Sequence, residues 1–117
     1  MPLLGIDVGT QSLKAVVLDE GMRLLGTGSV GYQPTFPKPG WAEEDPNLWL
    51  AALRPAIGAA LEAAAVGPDA IKGLAVCGQL DGCVPTGTDG KAIGSCIIWM
   101  DRRAEPLLQG IDPATIR

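Results

Sequence analysis

The chain has 117 residues, 47% of them hydrophobic but only 4% aromatic, with a net charge of −4. That is enough apolar material for one packed domain built mostly from Ala, Val, Leu and Ile, and too much for a disordered chain. The acidic balance argues against nucleic acid as a partner, because phosphate neutralisation needs clustered Lys and Arg, and the absence of histidine removes His-based metal sites and His general bases.

Three apolar runs open the chain, Leu3 to Val8, Leu13 to Leu18 and Leu24 to Tyr32. Their short connections predict an antiparallel meander. Gly26, Gly28 and Gly31 suit the third run to a sheet edge. Pro34 to Gly40 is a loop. The segment Trp41 to Pro46 is expected to open a helix, with Asp45 as N-cap and Pro46 as first helical residue. Leu48, Trp49, Leu53, Ile57, Ala60, Leu61 and Ala64 then recur at helical spacing. Pro55 deprives the Ala51 carbonyl of its partner, so a kink or break is expected there, and Gly67-Pro68 is expected to end the helix. In this segment Glu43 and Glu44 read as solvated, and Trp41 and Trp49 as structural.

Ile71 to Cys77 predicts a buried strand, Cys83 to Pro85 a short one, Thr88 to Lys91 a turn, and Ser95 to Met100 a last strand. Ala104 to Gln109 predicts a helix, and Asp112-Pro113 a cap for another. The order is β-β-β-α-β-β-β-α, an α/β fold with a mixed sheet. Cys77, Cys83 and Cys96 have no C-x-x-C spacing and read as small buried apolar residues. An odd cysteine count behind a start without a basic, apolar leader suggests reduced thiols and a cytoplasmic location. No uncharged apolar run reaches the roughly 18 residues that a membrane span needs, so no membrane partner is expected.

The stretch with chemistry in it is Gly5-Ile6-Asp7-Val8-Gly9-Thr10-Gln11-Ser12-Leu13-Lys14. Gly9 is free to take positive φ and lets a ligand approach the backbone. Thr10, Gln11 and Ser12 offer donors around a tight turn, and Lys14 adds positive charge, an arrangement suited to phosphate oxygens. Asp7 stands where a phosphate would sit; a hydrated Mg²⁺ reconciles the two, because it keeps several waters and bridges carboxylate to phosphate. The other reading is an ordinary hairpin in which Asp7 and Thr10 bond their own backbone. The pattern is neither a Walker A loop nor a dinucleotide fingerprint, since it leads into a strand rather than a helix.

Four stretches together resemble the N-terminal part of the FGGY carbohydrate kinases, most closely xylulokinase-like members. They are Gly5 to Thr10, Gly40 to Pro46 with Trp49, Gly78-Gln79-Leu80-Asp81-Gly82, and Trp99-Met100-Asp101-Arg102-Arg103. The resemblance implies a ribonuclease-H-like, actin-like ATPase domain, incomplete at its C-terminus, with residues 1–117 forming the front of the first of two such domains. It implies transfer of the ATP γ-phosphoryl to a sugar or polyol hydroxyl. Asp7 would hold Mg²⁺ through water, and Gly9, Thr10, Gln11, Ser12 and Lys14 would line the phosphates. Gln79, Leu80 and Asp81 would face the sugar, Trp99 would give it an apolar wall, Asp101 would bind a hydroxyl, and Arg103 would hold Asp101. Xylulokinases usually read Gly-Gln-Met-His-Gly where this chain reads Gly-Gln-Leu-Asp-Gly; glycerol kinases place an acid at the position of Asp81. A carboxylate accepts several hydroxyl hydrogen bonds, so polyol binding is retained while xylulose itself is in question. No catalytic residue is expected within the chain: the family's base lies downstream, and the adenosine pocket belongs mostly to the second domain. The isolated chain is therefore expected to be inactive, and to self-associate through a sheet edge left uncovered. A different class remains, a non-catalytic actin-like nucleotide-binding module, for which the stretches at Gly78 and Trp99 have no obvious use.

Overall fold

The three opening runs form strands β1 (Leu3–Val8), β2 (Ser12–Leu18) and β3 (Leu24–Gly31) in a computed structural model that describes residues 1–112 and 115. The cap expected at Asp112-Pro113 rests on Pro113, outside the described residues. β1 and β2 pair antiparallel with Val8 opposite Leu13, and β2 pairs antiparallel with β3. The second turn is closed by Asp19, whose Oδ1 accepts the N–H groups of Gly21 and Arg23 at 2.8 and 2.9 Å, with Met22 left-handed at φ 62°. As expected, β3 is an edge.

Two more strands of two residues, β4 (Glu43–Glu44) and β6 (Cys96–Ile97), form a separate antiparallel pair. β4 lies where the opening of the helix was expected. Helix α1 (Pro46–Ala63) begins only after it, with the Asp45 carboxylate accepting the Asn47 N–H at 2.9 Å and Pro46 in the first turn. The helix then crosses the sheet and delivers β5 (Gly73–Gly78) parallel to β1, giving the order β3-β2-β1-β5. A parallel pair needs such a crossover.

Alternation places Leu4, Ile6, Leu13, Ala15 and Val17 on one face of the sheet, all buried against α1. Each large aliphatic side chain buried there contributes roughly 1.5–3 kcal/mol. The centre of the helix face is not the large residues but the alanines Ala52, Ala56 and Ala60, with Trp49, Leu53, Ile57 and Leu61 flanking them. Opposite them stand Gly26 and Gly28. A Cβ on Gly28 would run into the Ala56 carbonyl oxygen and come within 2.8 Å of the Ala60 nitrogen, and one on Gly26 would lie 2.5 Å from the Ala64 nitrogen. The glycines of β3 therefore serve close approach of helix to sheet, more than edge character.

Several expectations are corrected. α1 runs through Pro55 without a break, because Pro55 and Ala51 both lie on the exposed side, where the released carbonyl meets water. The helix ends before Gly67: Ala65 turns left-handed at φ 54°, and the Val66 N–H reaches back to the Leu61 carbonyl at 3.1 Å. The strand at Ile71 is confined to Gly73–Gly78 and is not buried; Leu74 and Val76 are 60% and 61% exposed. They share the face of Leu4 and Ile6, but α1 packs across β3 and β2 and stops short of them. Cys83 to Pro85 contributes one bridge, Cys83 to Ile97, and the run from Ser95 is a strand only at Cys96–Ile97. In place of a helix from Ala104 there is a 3₁₀ turn at Glu105–Leu108. Cys77 and Cys83 are exposed, and only Cys96 is buried; all three are free thiols.

Candidate functional site

The C-terminal ends of β1 and β5 lie side by side, with Asp7 opposite Cys77 and Val8 opposite Gly78. The loops leaving both strands therefore emerge at one end of the sheet, where α/β folds gather their ligand-binding groups. Between them is an open crevice of about 460 Å³ lined by Asp7, Gly9, Thr10, Gly78, Gln79, Leu80, Asp81 and Trp99. A second lobe of about 400 Å³ shares Asp7, Gly9, Thr10 and Trp99 with it and adds Gln11, Ser12, Lys14 and Met100. The two stretches that sequence assigned to phosphate and to sugar thus share one concave surface.

The turn at Gly9 is closed by its N–H donating to the Ser12 carbonyl at 3.0 Å. Gly9 does not take positive φ. Its missing side chain answers a different need, since a Cβ would press to 3.1 Å from the Ser12 carbonyl oxygen. The Gly9 carbonyl accepts the Tyr32 hydroxyl at 2.6 Å, which braces the turn from the end of β3. Burial, then the charges of Glu44 and Asp7, pushes the Tyr32 hydroxyl up to about 12, so it is a firm donor at neutral pH. Lys14 faces Asp7 across the β1–β2 pair, on the same side of the sheet.

Asp7 accepts a weak S–H bond from Cys77 at 3.6 Å. Desolvation and the neighbouring Asp7 raise the Cys77 pKa, which keeps that thiol protonated. Thr10 is tied on both sides: its hydroxyl donates to Gln79 Oε1 at 3.2 Å and accepts the Trp99 indole N–H at 3.0 Å. Trp99 stays 50% exposed, an indole wall rather than a core residue. Asp81 is left-handed at φ 57° and exposed, a conformation aspartate tolerates better than most residues. Its backbone makes the turn while its side chain lines the crevice.

Asp101 is placed otherwise. Its carboxylate accepts the Ala42 N–H at 2.7 Å and several bonds from Arg103, the shortest at 2.8 Å, and its side chain is 5% exposed. Held chiefly by Arg103, its pKa falls to about 2. It lines neither lobe, because its acceptor positions are already filled. Arg103 also pairs with Glu43 at 2.7 Å and lies 3.8 Å over the Trp41 ring. Glu43, Trp41, Asp101 and Arg103 form a clamp that fixes the Trp99 turn against β4.

Glu44, expected to be solvated, is corrected: it pairs within β4 and turns inward. It is fully buried, and its Oε2 accepts the Trp49 indole N–H at 3.0 Å and the Gln79 amide at 2.7 Å. The available signal was strand alternation through Ala42-Glu43-Glu44, which sends one glutamate outward to Arg103 and the other inward. Tyr32 was missed, being the last residue of an apolar run.

Known proteins resemble this chain in sequence and in fold. Glycerol kinase from Thermococcus onnurineus is 34% identical over 110 residues, and xylulose kinase from Lactococcus lactis subsp. lactis is 34% identical over 110 residues; each match covers 93% of this chain and 22% of the relative. A crystal structure of a xyloylose kinase from Brucella ovis superposes with a TM-score of 0.90 at 31% identity, covering 99% of this chain and 24% of that one. The chain thus spans about a quarter or less of the length of these relatives, and the fold is that of the actin-like ATPases. The model for the FGGY family of carbohydrate kinases, N-terminal domain, matches residues 2–116, and the chain belongs to that family.

Proposed function

We propose that this chain is the N-terminal part of the first actin-like domain of an ATP-dependent sugar or polyol kinase. The observation that supports the reading most is the common crevice of the Gly9 turn and the Gly78–Gly82 loop. In this reading Asp7 holds Mg²⁺ through water, and Gly9, Thr10, Gln11, Ser12 and Lys14 surround the phosphates. The donor set suits that ion: a single hard carboxylate at a strand end, with no cluster of three or more His, Cys, Asp or Glu among the described residues to favour a softer metal. When bound, Mg²⁺ would supply charge neutralisation for the phosphates. Gln79, Leu80 and Asp81 face the acceptor hydroxyls, Trp99 offers its exposed face to the carbon skeleton, and Asp101 with Arg103 fixes the Trp99 turn instead of touching the ligand. An acid at position 81 favours a polyol such as glycerol over xylulose.

Phosphoryl transfer depends on positioning and charge stabilisation from all sides of the transferred group. The chain supplies one wall of such a site, so the isolated polypeptide binds without turning over. A cytoplasmic location, with all three cysteines free, belongs to the same reading. Titrating the chain with glycerol and with D-xylulose while following tryptophan emission tests it. Glycerol is expected to quench Trp99, and Asp81→Ala to abolish the response. An unchanged glycerol response in Asp81→Ala sinks the assignment of Asp81, and robust polyol-dependent ATP turnover by the chain sinks the claim that it is inactive alone.

A further inference from the structure

One string of hydrogen bonds runs from the interior to the exposed wall of the crevice. Trp99 donates to the Thr10 hydroxyl, Thr10 donates to Gln79 Oε1, and Gln79 Nε2 donates to Glu44 Oε2, which also accepts from Trp49. Glu44 has no exposed surface, and its Oε1 has no hydrogen-bond partner among the described residues.

A carboxylate only accepts, so it dictates which end of the Gln79 amide turns towards it. With Nε2 drawn to Glu44, Oε1 must face Thr10. The single hydroxyl proton of Thr10 is then committed to Gln79, which leaves its lone pairs for the Trp99 indole. Reversing the amide would set its oxygen against the carboxylate and would make Thr10 accept from the NH₂ as well as from the indole, filling both its lone pairs and leaving its proton without Gln79. The mismatch is costly at the Glu44 end, where the carboxylate has no exposed surface and water cannot replace the lost donor.

We propose that Glu44 is a positioning residue: it touches no ligand, but it sets the direction of the Gln79–Thr10–Trp99 string and thereby the pose of the indole wall. This extends the polyol reading where affinity is concerned, whereas the string itself stands without any ligand. It also accounts for burying an acid beside the crevice, where an apolar residue would pack as well.

The test uses the chain itself, whose three tryptophans give three indole N–H signals by ¹⁵N–¹H correlation. Glu44→Gln keeps the shape but brings an NH₂ that competes for the same position. The expected result is movement of Trp49, in direct contact, and of Trp99, two residues further along the string, with Trp41 unmoved. Gln79→Leu should move Trp99 strongly and Trp49 less. Thr10→Val should move Trp99 alone, and adding Glu44→Gln to it should leave Trp99 where Thr10→Val put it. A Trp99 signal indifferent to Glu44→Gln while Trp49 moves overturns the proposal. Should Glu44→Gln fail to fold, Glu44→Asp decides, since it keeps the charge but draws the acceptor away from Gln79: a moved Trp99 supports the proposal, and a Trp99 that stays while Trp49 moves overturns it. Glycerol affinity should fall about tenfold in Glu44→Gln, the order expected for one lost charge-assisted bond. Moved indole signals with unchanged glycerol affinity overturn the positioning role. If the unsubstituted chain binds no glycerol, the polyol reading fails while the indole shifts still judge the string.

Discussion

β3 and β5 are both edges of one sheet, and they are finished differently. β3 lies under α1 with Gly26 and Gly28 against the helix backbone, whereas β5 carries Leu74 and Val76 into solvent, on the same face as α1 but beyond its reach. Beyond β5 the chain is held less by apolar burial than by charge: Arg103 joins Asp101, Glu43 and the Trp41 ring. Stability in this molecule therefore sits on the β3 flank, and the candidate site sits where the packing gives way to polar ties. Sites are commonly built on the less stable part of a fold.

The largest effect is expected on the packed flank. Gly28→Val must displace the Ala56 carbonyl, and backbone cannot yield as a side-chain tip does. Overpacking of this kind should cost about 3 kcal/mol, measured as a lowered urea midpoint. An unchanged midpoint would mean that helix and strand are not in close contact and would erase the contrast between the two edges.

Acid should act on the other flank first. The Asp101 pKa is depressed from 3.8 to about 2, so its contribution is complete above pH 3.8 and is lost as pH falls through about 2. Amide exchange at Ala42 and Arg103, whose N–H groups the carboxylate accepts, should accelerate in that window before exchange in β2 does. In Asp101→Asn this acid-induced step should disappear. Simultaneous loss of protection in both regions would show that the clamp has no separate titration.

Tyr32→Phe tests the brace from the packed flank to the Gly9 turn. Loss of the 2.6 Å bond should cost about 1 kcal/mol. Because the folded pKa is raised from 10.0 to about 12, the native tyrosine contributes stability that is full below pH 10 and lost as pH rises through about 12. The phenylalanine variant should lack that alkaline slope in the melting temperature.

Much of this was legible in sequence because it is local. The three opening strands, their turns and the Asp45-Pro46 helix start follow from alternation and capping, which need no distant partner. The Gly9 turn was legible for a related reason, a glycine among donors beside an acid at a strand end, whereas Gln79, Leu80, Asp81 and Trp99 were reached through the resemblance to the FGGY kinases. What was not legible depends on neighbours far along the chain. Alternation separates Glu44 from Glu43 only once the segment is known to be a strand, and what makes it one is Cys96 and Ile97 arriving to pair β4 some 50 residues later. Ala52 and Ala56 look weaker than Leu53 and Ile57 until the glycines of β3 supply a surface that only alanine can meet. Asp101 looked like a ligand because its motif is a ligand motif, and only the approach of Ala42 and Arg103 fills its acceptor positions. Pro55 leaves α1 unbroken because the cost of a helical proline depends on whether the freed carbonyl faces water, as it does on this exposed side.

The smallest effect on stability is expected at the bare edge. Leu74 and Val76 already meet water, so Leu74→Lys with Val76→Lys should change the unfolding free energy by no more than about 0.5 kcal/mol per site. Their effect should appear instead in association. An unpaired strand with apolar side chains is a template for another strand, and lysine on an edge is a common way to suppress such pairing. Light scattering on the concentrated chain should therefore report oligomers that the double variant dissolves. The Gly28→Val variant cannot give that result, since it damages a covered edge and should raise association by unfolding. A chain that stays monomeric at high concentration would mean that β5 protects itself by some other route; Lys72, next to its first residue, and the slanted bonds of a parallel pair are what the edge offers for that.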